Sequence, residues 1–325
     1  MQNILITGSS GFIGSHLVEE LSKKDKIFCI LRNKNKIHLF KLKNIKPIFC
    51  DLANKILLKK ELDHYSFDIV IHLAYEGLGK DSKKIYIKNL TLTKNLLDCI
   101  TEKKIKHFIF MSSCAVYDKI PMDKKANEDY PLNPKSYYGK SKIKSEILVE
   151  EYATRFNFPY TIFRAHMVYG YRDKNIFPLI SLMKKCSVIP LINNGNYYVQ
   201  PIFIGDVTKA IIYSIHNKNV FNKIYNLAGL NPILFKDLAR LIAKELDFKK
   251  KFVNIPFVIA LPGVYLIELF GKILNQNQLI NRTIIKRAIQ NSAYDISKIE
   301  RDLKLKLIPI EEGIRKIVQN EHSIN

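Results

Sequence analysis

The residues best suited to chemistry are a tyrosine and a lysine four positions apart, Tyr138 and Lys142. Positions i and i+4 of a helix share one face, so the ammonium can lie close to the phenol. A free phenol has a pKa near ~10, and a neighbouring cation stabilises the phenolate and lowers that pKa. The pair therefore predicts general acid–base catalysis by Tyr138. Tyr137 has only Ser141 at the matching position, which offers no charge.

A second candidate feature is a glycine-rich junction near the start of the chain. The apolar run Ile4–Ile6 leads into a loop with Gly8, Gly11 and Gly14, and a helical pattern follows from Ser15. Such glycines allow a tight turn and a close approach of the backbone to a pyrophosphate, which the helix N-terminus then binds. Because the three glycines follow a strand and open a helix, they predict a dinucleotide-binding loop rather than an ordinary turn.

Short β-branched runs alternate with longer helical segments, and these elements must position the candidate residues. Helical segments include Ser15–Leu21 and Leu90–Ile100. The strand candidates are Ile4–Ile6, Ile27–Leu31, Pro47–Phe49, Ile69–Leu73, Phe108–Met111, Tyr160–Phe163 and Ile224–Leu227. The alternation predicts an α/β fold, a doubly wound parallel (Rossmann) sheet with helices on both faces.

The order of these elements also predicts a division into two domains. We expect the dinucleotide-binding domain to span residues 1–170 and to resume at about 203–230. Residues 171–202, which contain a polar insertion at roughly 171–199, would form a smaller, mostly helical substrate-binding lobe together with residues 231–325.

Composition and charge narrow the class of protein. The chain has 325 residues, of which 47% are hydrophobic and 25% charged, a balance typical of globular proteins. The net charge of +22 comes from lysines spread along the chain within a general Lys-, Ile- and Asn-rich bias. No RNA-binding motif or basic tail accompanies them, so nucleic-acid binding is not expected. Attraction of an anionic cofactor and substrate is a secondary benefit of this charge.

The cysteines and the apolar segments indicate in which cellular compartment the protein is expected. The five cysteines are scattered without a CxxC pair or metal spacing, which predicts reduced structural thiols and no metal site. A strand pattern begins at Asn3, which leaves no room for a cleavable leader, so we expect a cytoplasmic location.

The apolar stretch Phe252–Leu274 contains Pro256, Pro262 and Glu268. These residues disfavour a transmembrane span, while peripheral membrane contact stays open.

The glycine spacing TGxxGxxG resembles the extended short-chain dehydrogenase/reductase superfamily, and within it the NAD-dependent epimerases and dehydratases and the related ketoreductases of nucleotide sugars. Later segments follow the family's order: Asp51-Leu52 resembles its adenine-contacting pair, His72-Leu73-Ala74 its HLAA stretch, and Asn89 with Thr93–Leu97 its NxxGTxNLL helix. The resemblance implies cofactor-binding roles for Thr7, Gly8, Gly11, Phe12, Ile13, Gly14, Arg32, Asp51, Leu52, Leu73, Ala74, Asn89, Ser112, Tyr138 and Lys142.

The same resemblance supplies a third catalytic residue. Phe108–Tyr117 is similar to the family's SSxxVYG segment, whose register assigns the substrate-binding hydroxyl to Ser113, with Ser112 as the fallback. The catalytic residues would then be Ser113, Tyr138 and Lys142. The implied chemistry is reversible hydride transfer between nicotinamide and a carbonyl carbon. Tyr138 exchanges a proton with the oxygen, and Lys142 tunes Tyr138 and holds the nicotinamide ribose.

The form of the dinucleotide is read from the end of the second strand candidate. An acid there would bind the ribose 2′-hydroxyl of NAD, whereas an arginine accommodates the 2′-phosphate of NADP. The chain has Leu31-Arg32-Asn33 at this point, and a guanidinium suits phosphate recognition. NADP(H) is therefore favoured, and NAD(H) is the alternative. If Arg32 has no cofactor role, it is an ordinary solvent-exposed arginine.

The reaction is narrowed by residues that depart from the family pattern. Dehydratases of this family usually carry an Asp-Glu pair after the catalytic hydroxyl, where this chain has Cys114 and Ala115. We therefore expect a 4-ketoreductase or 4-epimerase of a nucleotide sugar, in surface-polysaccharide synthesis. The alternatives are a reductase or dehydrogenase of a lipophilic ketone or sterol-like alcohol, and a non-catalytic NAD(P)-binding protein.

Substrate recognition also departs from the pattern. Met167 replaces the family's sugar-nucleotide-contacting Asn, and Gln200 stands near the place of its arginine. The candidate substrate-binding residues are His166, Met167, Gln200 and Arg287. The resemblance further implies a homodimer that pairs through helices on the YxxxK side.

Overall fold

The computed structural model describes residues 1–33, 44–76, 82–173, 177–260, 262 and 290–322. The first half alternates strands and helices, as expected, and the later part adds shorter elements. In chain order these are β1 (Asn3–Thr7), α1 (Phe12–Leu21), β2 (Lys26–Leu31), β3 (Ile45–Phe49), α2 (Lys55–Asp63), β4 (Ile69–His72), α3 (Lys83–Ile100), β5 (His107–Ser113), α4 (Tyr137–Phe156), β6 (Tyr160–Ala165), β7 (Val168–Tyr169), α5 (Phe177–Lys185), β8 (Val188–Ile192), β9 (Tyr198–Val199), β10 (Ile202–Phe203), α6 (Ile204–Ser214), β11 (Lys223–Leu227), β12 (Ile233–Leu234), α7 (Phe235–Glu245), β13 (Lys251–Ile255), α8 (Ser297–Leu303) and α9 (Ile310–His322).

The central sheet has the strand order β11-β6-β5-β4-β1-β2-β3. Every neighbouring pair in it is parallel. This confirms the predicted doubly wound sheet and all seven strand candidates, including the one at β11. The order reverses between β1 and β4, and ligands of such sheets bind in the crevice at the carboxyl ends of the strands at this reversal.

Alternate side chains of the strands enter different cores. On β1, Ile4 and Ile6 belong to one buried cluster, which includes Leu17 of α1 and Val207 of α6. Leu5 belongs to the opposite cluster, which includes residues of α2, α3 and α4. Successive side chains of a strand point to opposite faces of the sheet, so helices cover both faces and leave only the strand ends accessible.

A third buried cluster lies outside the sheet. Ile180 of α5, Leu238 of α7 and Ile314 of α9 belong to it. Residues 171–199 were expected to be a polar insertion, but they form α5, β8 and β9 and contribute apolar side chains to this cluster. Small sheets join β8 to β13 and β9 to β12, so the described part of the predicted lobe also contains strands. The domain boundaries themselves stay a prediction. None of the described helices combines the length and apolar character that crossing a membrane requires.

Candidate active site

The glycine loop after β1 has the shape that a diphosphate requires. Gly8 has φ +70°, and a Cβ there would lie 2.8 Å from the Ala74 backbone nitrogen. A Cβ on Gly14 would lie 2.2 Å from the Gly8 carbonyl oxygen. Gly11 is the N-cap of α1 and provides no side-chain cap, so the first N–H groups of the helix remain for an anion. The half-buried Phe12 and Ile13 form the first turn of this helix.

We therefore expect Gly14→Ala to abolish dinucleotide binding. The new methyl group meets backbone atoms of Gly8 and Ser9, which cannot rotate away as a flexible side chain would. Titration of NADH fluorescence reads the loss of binding directly. Gly205→Ala on α6 is the matched control, because it lies outside the loop and its Cβ would meet only side-chain atoms of Phe203, which can rotate away. Equal affinities in the two variants would contradict this account of the loop.

Hydrogen bonds tie the glycine loop to the end of β4. The Ala74 backbone N–H donates to Thr7 Oγ1 at 3.2 Å, and Thr7 Oγ1 shares a 2.7 Å hydrogen bond with His72 Nδ1. His72 Nε2 continues the chain to Thr93 Oγ1 on α3, at 3.1 Å. Burial, with a smaller contribution from the Lys142 charge, lowers the pKa of His72 to about 3, so this imidazole is neutral. This chain of hydrogen bonds holds Thr7, Leu73 and Ala74 at the strand ends. Because His72 is neutral, it adds no positive charge next to Lys142.

Two further predicted cofactor residues, Asp51 and Leu52, follow the carboxyl end of β3, at the same edge of the parallel sheet as the glycine loop. Asp51 follows β3 and caps a turn by accepting a 2.9 Å hydrogen bond from the Ala53 N–H. The carbonyl oxygen of Leu52 accepts a 2.9 Å hydrogen bond from the Asn95 amide.

Asn89 was predicted to bind the cofactor, but its buried amide is engaged with the protein backbone. Asn89 Oδ1 accepts from the Glu76 N–H at 2.8 Å, and its Nδ2 donates to the Glu76 carbonyl oxygen at 3.3 Å. Asn89 therefore shapes the loop after β4.

The environment of Arg32 bears on the cofactor prediction. Its guanidinium forms an ion pair with Glu76, and Lys88 Nζ lies 3.5 Å from the same carboxylate. An arginine that recognises a 2′-phosphate must present its guanidinium to that phosphate. Here a carboxylate already occupies it, so the geometry does not support the predicted preference for NADP(H).

The tyrosine and lysine lie on one face of α4, as the spacing predicts. Ser136 caps this helix by accepting a 3.0 Å hydrogen bond from the Gly139 N–H. Tyr138 is half-buried, whereas Lys142 is only 5% exposed. Lys142 Nζ donates to the Met111 carbonyl oxygen at 2.7 Å and lies 5.9 Å from the centre of the Tyr138 ring. The ammonium is thus held beside the phenol by the backbone of β5.

Successive side chains of β5 point to opposite faces of the sheet, and this distinguishes the two candidate serines. Ser112 is buried and donates its hydroxyl to Glu146, so that hydroxyl is committed. Ser113 is half-buried, and its Oγ accepts a 3.2 Å hydrogen bond from the Ala115 N–H. This leaves the hydroxyl hydrogen of Ser113 for a substrate oxygen. A Cβ on Gly139 would lie 2.3 Å from the Ala115 carbonyl oxygen, so α4 packs tightly on the turn that follows Ser113.

A buried ion pair lies behind the catalytic helix. Glu146, one turn beyond Lys142, accepts hydrogen bonds from Arg164 Nε at 3.1 Å and from Arg164 NH2 at 2.8 Å. Arg164 NH1 also donates to the Tyr117 hydroxyl at 3.0 Å. Together with the Ser112 hydroxyl, these contacts bind α4, β5 and β6 to one another at the end of the sheet that carries the candidate site.

The structure does not support the predicted role of Gln200 in substrate binding. Its side chain is fully buried, and its Nε2 donates to the carbonyl oxygens of Gly229 at 2.7 Å and Tyr294 at 3.2 Å. Its Oε1 accepts a 2.6 Å hydrogen bond from the Tyr294 N–H. Because both ends of the amide bind backbone, Gln200 is not available to a phosphate. Arg287 lies outside the described residues.

His166 and Met167 follow β6, where Ala165 pairs in register with Ser113. Burial lowers the pKa of His166 to about 4, so its imidazole is neutral at neutral pH. Among the described residues its buried Nε2 has no hydrogen-bond partner. Met167 has φ +36°, a region that asparagine tolerates better than methionine. Both residues stay predicted substrate contacts.

Two residues of the site were not predicted from the sequence. Tyr75 lies with its ring centre 5.8 Å from that of Tyr138, and Glu146 holds Ser112 as described above. Tyr75 occupies the last position of the HLAA-like stretch, where the family pattern has alanine, and this departure was a usable signal. Glu146 stands four residues after Lys142, the same helical interval that identified the Tyr138–Lys142 pair.

Comparison with known proteins agrees with this geometry. Residues 4–228, more than half of the chain, match the model of the NAD dependent epimerase/dehydratase family. The chain belongs to this family. It is accordingly an NAD(P)-dependent enzyme of the extended short-chain dehydrogenase/reductase type, the class that the glycine spacing and the YxxxK pair predict.

Individual relatives of this epimerase/dehydratase family member differ in their reactions. The chain is 24% identical over 324 residues to the N-acetyl-α-D-glucosaminyl-diphospho-ditrans,octacis-undecaprenol 4-epimerase of Escherichia coli O157:H7, covering 98% of this chain and 95% of that protein. It is 31% identical over 284 residues to the dTDP-D-glucose 4,6-dehydratase of Dictyostelium discoideum, covering 78% of this chain and 62% of that protein. Among solved structures, the UDP-glucose 4-epimerase of Thermotoga maritima with UDP-glucose superposes with a TM-score of 0.80 at 19% identity, covering 99% of both chains.

Proposed function

We propose that this enzyme is a sugar 4-epimerase that uses tightly held NAD(H) and acts on a sugar linked to a diphosphate. The observation that carries the proposal is the hydrogen bond from Lys142 Nζ on α4 to the Met111 carbonyl oxygen, which holds the Tyr138–Lys142 pair beside the strand that ends at Ser113. The glycine loop follows β1 at the same carboxyl edge of the parallel sheet. The similarity to two 4-epimerases along almost the whole chain supports the proposal.

The protein's own residues move one proton and hold one oxygen. A dinucleotide held by the glycine loop would supply reversible hydride transfer with the sugar carbon. Tyr138 takes the proton of the sugar hydroxyl and gives it back after the keto sugar has presented its other face. Ser113 donates a hydrogen bond to the same oxygen. Lys142 keeps a positive charge beside Tyr138, which favours the phenolate.

The turn after Ser113 supports epimerisation over dehydration. Elimination of water needs an acid and a base next to the catalytic hydroxyl, and Cys114 and Ala115 stand there. The Cys114 Sγ donates to the Arg164 carbonyl oxygen at 3.0 Å. Burial raises the pKa of this thiol well above its ordinary value, so Cys114 cannot replace the missing acid–base pair. A ketoreductase, which would exchange its cofactor at every turnover, is the second reaction compatible with the three catalytic residues.

We propose NAD(H) as the dinucleotide because Glu76 neutralises Arg32. Glu76→Gln removes the carboxylate that holds the guanidinium. We expect it to raise the affinity for NADPH relative to NADH by about fivefold, the effect of roughly 1 kcal/mol for an exposed ion pair. Fluorescence titration with both cofactors measures the ratio. Glu20→Gln breaks another exposed ion pair, with Lys23, and should leave the ratio unchanged. A wild-type protein that binds NADPH more tightly than NADH would overturn the assignment.

The carrier of the diphosphate has two candidates, a nucleoside and a polyprenyl lipid. In this chain Gln200 is committed to the backbone, so it does not provide the clamp expected for a nucleotide sugar. Val253, Val258 and Ile259 are 47%, 76% and 64% exposed, and Lys249–Lys251 precede them. An apolar and basic surface of this kind favours contact with a lipid. This surface supports the second candidate, a lipid-linked sugar or, more generally, a lipophilic substrate.

One assay separates these candidates. The purified enzyme with NAD is incubated in parallel with UDP-N-acetylglucosamine and with N-acetylglucosaminyl-diphospho-undecaprenol in detergent, and the 4-epimers are separated by chromatography. Conversion of either substrate supports the epimerase and identifies the carrier. Stoichiometric consumption of NADH with a 4-keto sugar, without epimerisation, would instead identify a ketoreductase. Normal NADH binding without turnover of any substrate would favour a non-catalytic binding protein.

Assembly and cellular setting follow as further proposals. The outer faces of α3 and α4 expose Ile87, Tyr137 and Ile147, and a cleft of ≈ 330 Å³ between these helices is lined by Tyr86 and Ile143 among others. An apolar face of this kind supports a homodimer, whose mass sedimentation equilibrium would measure. All five cysteines are free, which fits the cytoplasm. An activated-sugar epimerase there would serve surface-polysaccharide synthesis.

A further inference from the structure

The ammonium of Lys142 lies in a cage of three aromatic rings. Its Nζ is 4.9 Å from the centre of the Phe110 ring, 5.5 Å from that of Tyr75 and 5.9 Å from that of Tyr138. The three rings come from different elements: Phe110 from β5, Tyr138 from α4, and Tyr75 from the loop after β4. Cations are attracted to the faces of aromatic rings, most strongly where water is excluded.

The rings surround a cation that has few polar partners. Lys142 Nζ donates a hydrogen bond to the Met111 carbonyl oxygen, and among the described residues no carboxylate lies within ion-pair distance of this Nζ. Glu146 acts on Lys142 only through its charge, from one turn further along α4. His72 on β4 is neutral because of burial. Ring faces therefore replace much of the water that an ammonium normally binds.

The three rings are not equivalent. Phe110 is 1% exposed and belongs to the core, and Tyr138 is the proposed acid–base. Tyr75 is 38% exposed, so one side of it meets solvent while the other contacts the cage. Its ring is also packed against Tyr138, with the centres 5.8 Å apart. Tyr75 is thus a ring of the cage that also meets solvent.

We propose that Tyr75 is a positioning residue that closes the aromatic cage over Lys142 and thereby sets the pH range in which Tyr138 works. The inference rests on the proposed function, in which the Lys142 ammonium supports the Tyr138 phenolate. It explains why a large aromatic side chain stands at the position where the family's HLAA pattern has alanine. Tyr75 acts through Lys142 and takes no proton itself; burial and the neighbouring Tyr138 raise its own pKa.

The direction of the pH effect follows from the state of Lys142. Burial lowers the pKa of Lys142 to about 8, against a smaller opposing effect of Glu146. Below that pH the ammonium is charged and supports Tyr138, and above it the charge is lost, so kcat/KM should fall on the alkaline side. Removing the Tyr75 ring loses one cation–π contact, which lowers the pKa of Lys142, but it also admits water to the ammonium, which raises that pKa. Because the desolvation of a buried amine is the larger of the two effects, the net change is a rise. The alkaline fall should then move to higher pH. The titratable groups that face Lys142 are Tyr138 and Glu146 on α4, His72 on β4, and Tyr75.

The test is the pH dependence of kcat/KM from pH 6 to 10 with NAD saturating, for the wild type, Tyr75→Ala and Tyr75→Phe. We expect the alkaline midpoint to rise by about one pH unit in Tyr75→Ala, as expected for partial rehydration of a buried amine. It should stay in place in Tyr75→Phe, which keeps the ring. Tyr75→Ser carries the same expectation as Tyr75→Ala and replaces it if circular dichroism shows that the alanine variant does not fold.

The outcomes separate this inference from the proposed function. An unmoved midpoint in the small variants, or an equal shift in Tyr75→Phe, overturns the cage as the determinant of the pH range. A Tyr138→Phe variant that retained activity would instead overturn the proposed function. If Tyr138→Phe is inactive while the Tyr75 variants keep the wild-type midpoint, only the role of Tyr75 fails.

Discussion

Tyr138→Phe should lower kcat by about 10²–10⁴-fold, the usual contribution of a positioned acid–base group. The variant loses only the phenolic hydroxyl. The ring, with its contacts to Tyr75 and to the Lys142 ammonium, is retained. Dinucleotide binding should therefore persist while proton exchange with the sugar oxygen fails.

Tyr137→Phe is the matched control for this experiment. Tyr137 is the preceding residue on α4 and is 40% exposed. The ammonium near its ring belongs to Lys140, with Nζ 5.6 Å from the ring centre, and not to Lys142. Its kcat should stay within about twofold of the wild type, as for surface substitutions away from a site. Steady-state epimerisation rates and NADH titrations of both variants provide the measurements. Equal losses in the two variants would show that the assignment of Tyr138 is wrong.

Glu146→Gln should destabilise the protein by about 3–5 kcal/mol, the typical cost of leaving one member of a buried ion pair uncompensated. Glu146 and Arg164 are 3% and 2% exposed, and their closest N–O distance is 2.8 Å. A glutamine keeps the shape of the side chain but leaves the Arg164 guanidinium without its counter-charge. The change also alters the acceptor of the Ser112 hydroxyl, next to Ser113, the proposed substrate-binding hydroxyl.

The matched control for Glu146→Gln is Glu19→Gln, which removes an acid from a two-bond arginine pair at the surface. Arg172 donates from both terminal nitrogens to Glu19, at 2.9 Å each, but these side chains are 44% and 45% exposed. The loss there should be about 1 kcal/mol or less. Urea unfolding followed by circular dichroism gives both free energies. Similar losses in the two variants would contradict the special role of the buried pair.

Local patterns were sufficient wherever the chemistry depends on neighbours in the chain. The Tyr138–Lys142 pair is a property of helical spacing, and the glycine loop is a property of backbone conformation, since the positive φ of Gly8 requires glycine. The strand candidates were recognised because each strand of a doubly covered sheet is a continuous apolar run.

Contacts between distant segments were decided by folding. Arg32 was read as a phosphate ligand because its partner Glu76 lies 44 residues further along the chain. Gln200 looks like a substrate contact in the sequence because its backbone partners lie 29 and 94 residues further along the chain. In both cases a polar side chain looked free in the sequence and is committed in the fold.

By itself the sequence determined the fold class and predicted the dinucleotide loop and the acid–base pair, because these follow from residue types at short spacings. The tertiary structure decided which serine presents its hydroxyl, which polar groups are already engaged, and which rings surround the Lys142 ammonium. The physical reason is that hydrogen bonding and exclusion of water depend on what the folded chain brings together. Ser112 and Ser113 are adjacent in the sequence, but the pleat of β5 sends one to Glu146 and leaves the other for the substrate.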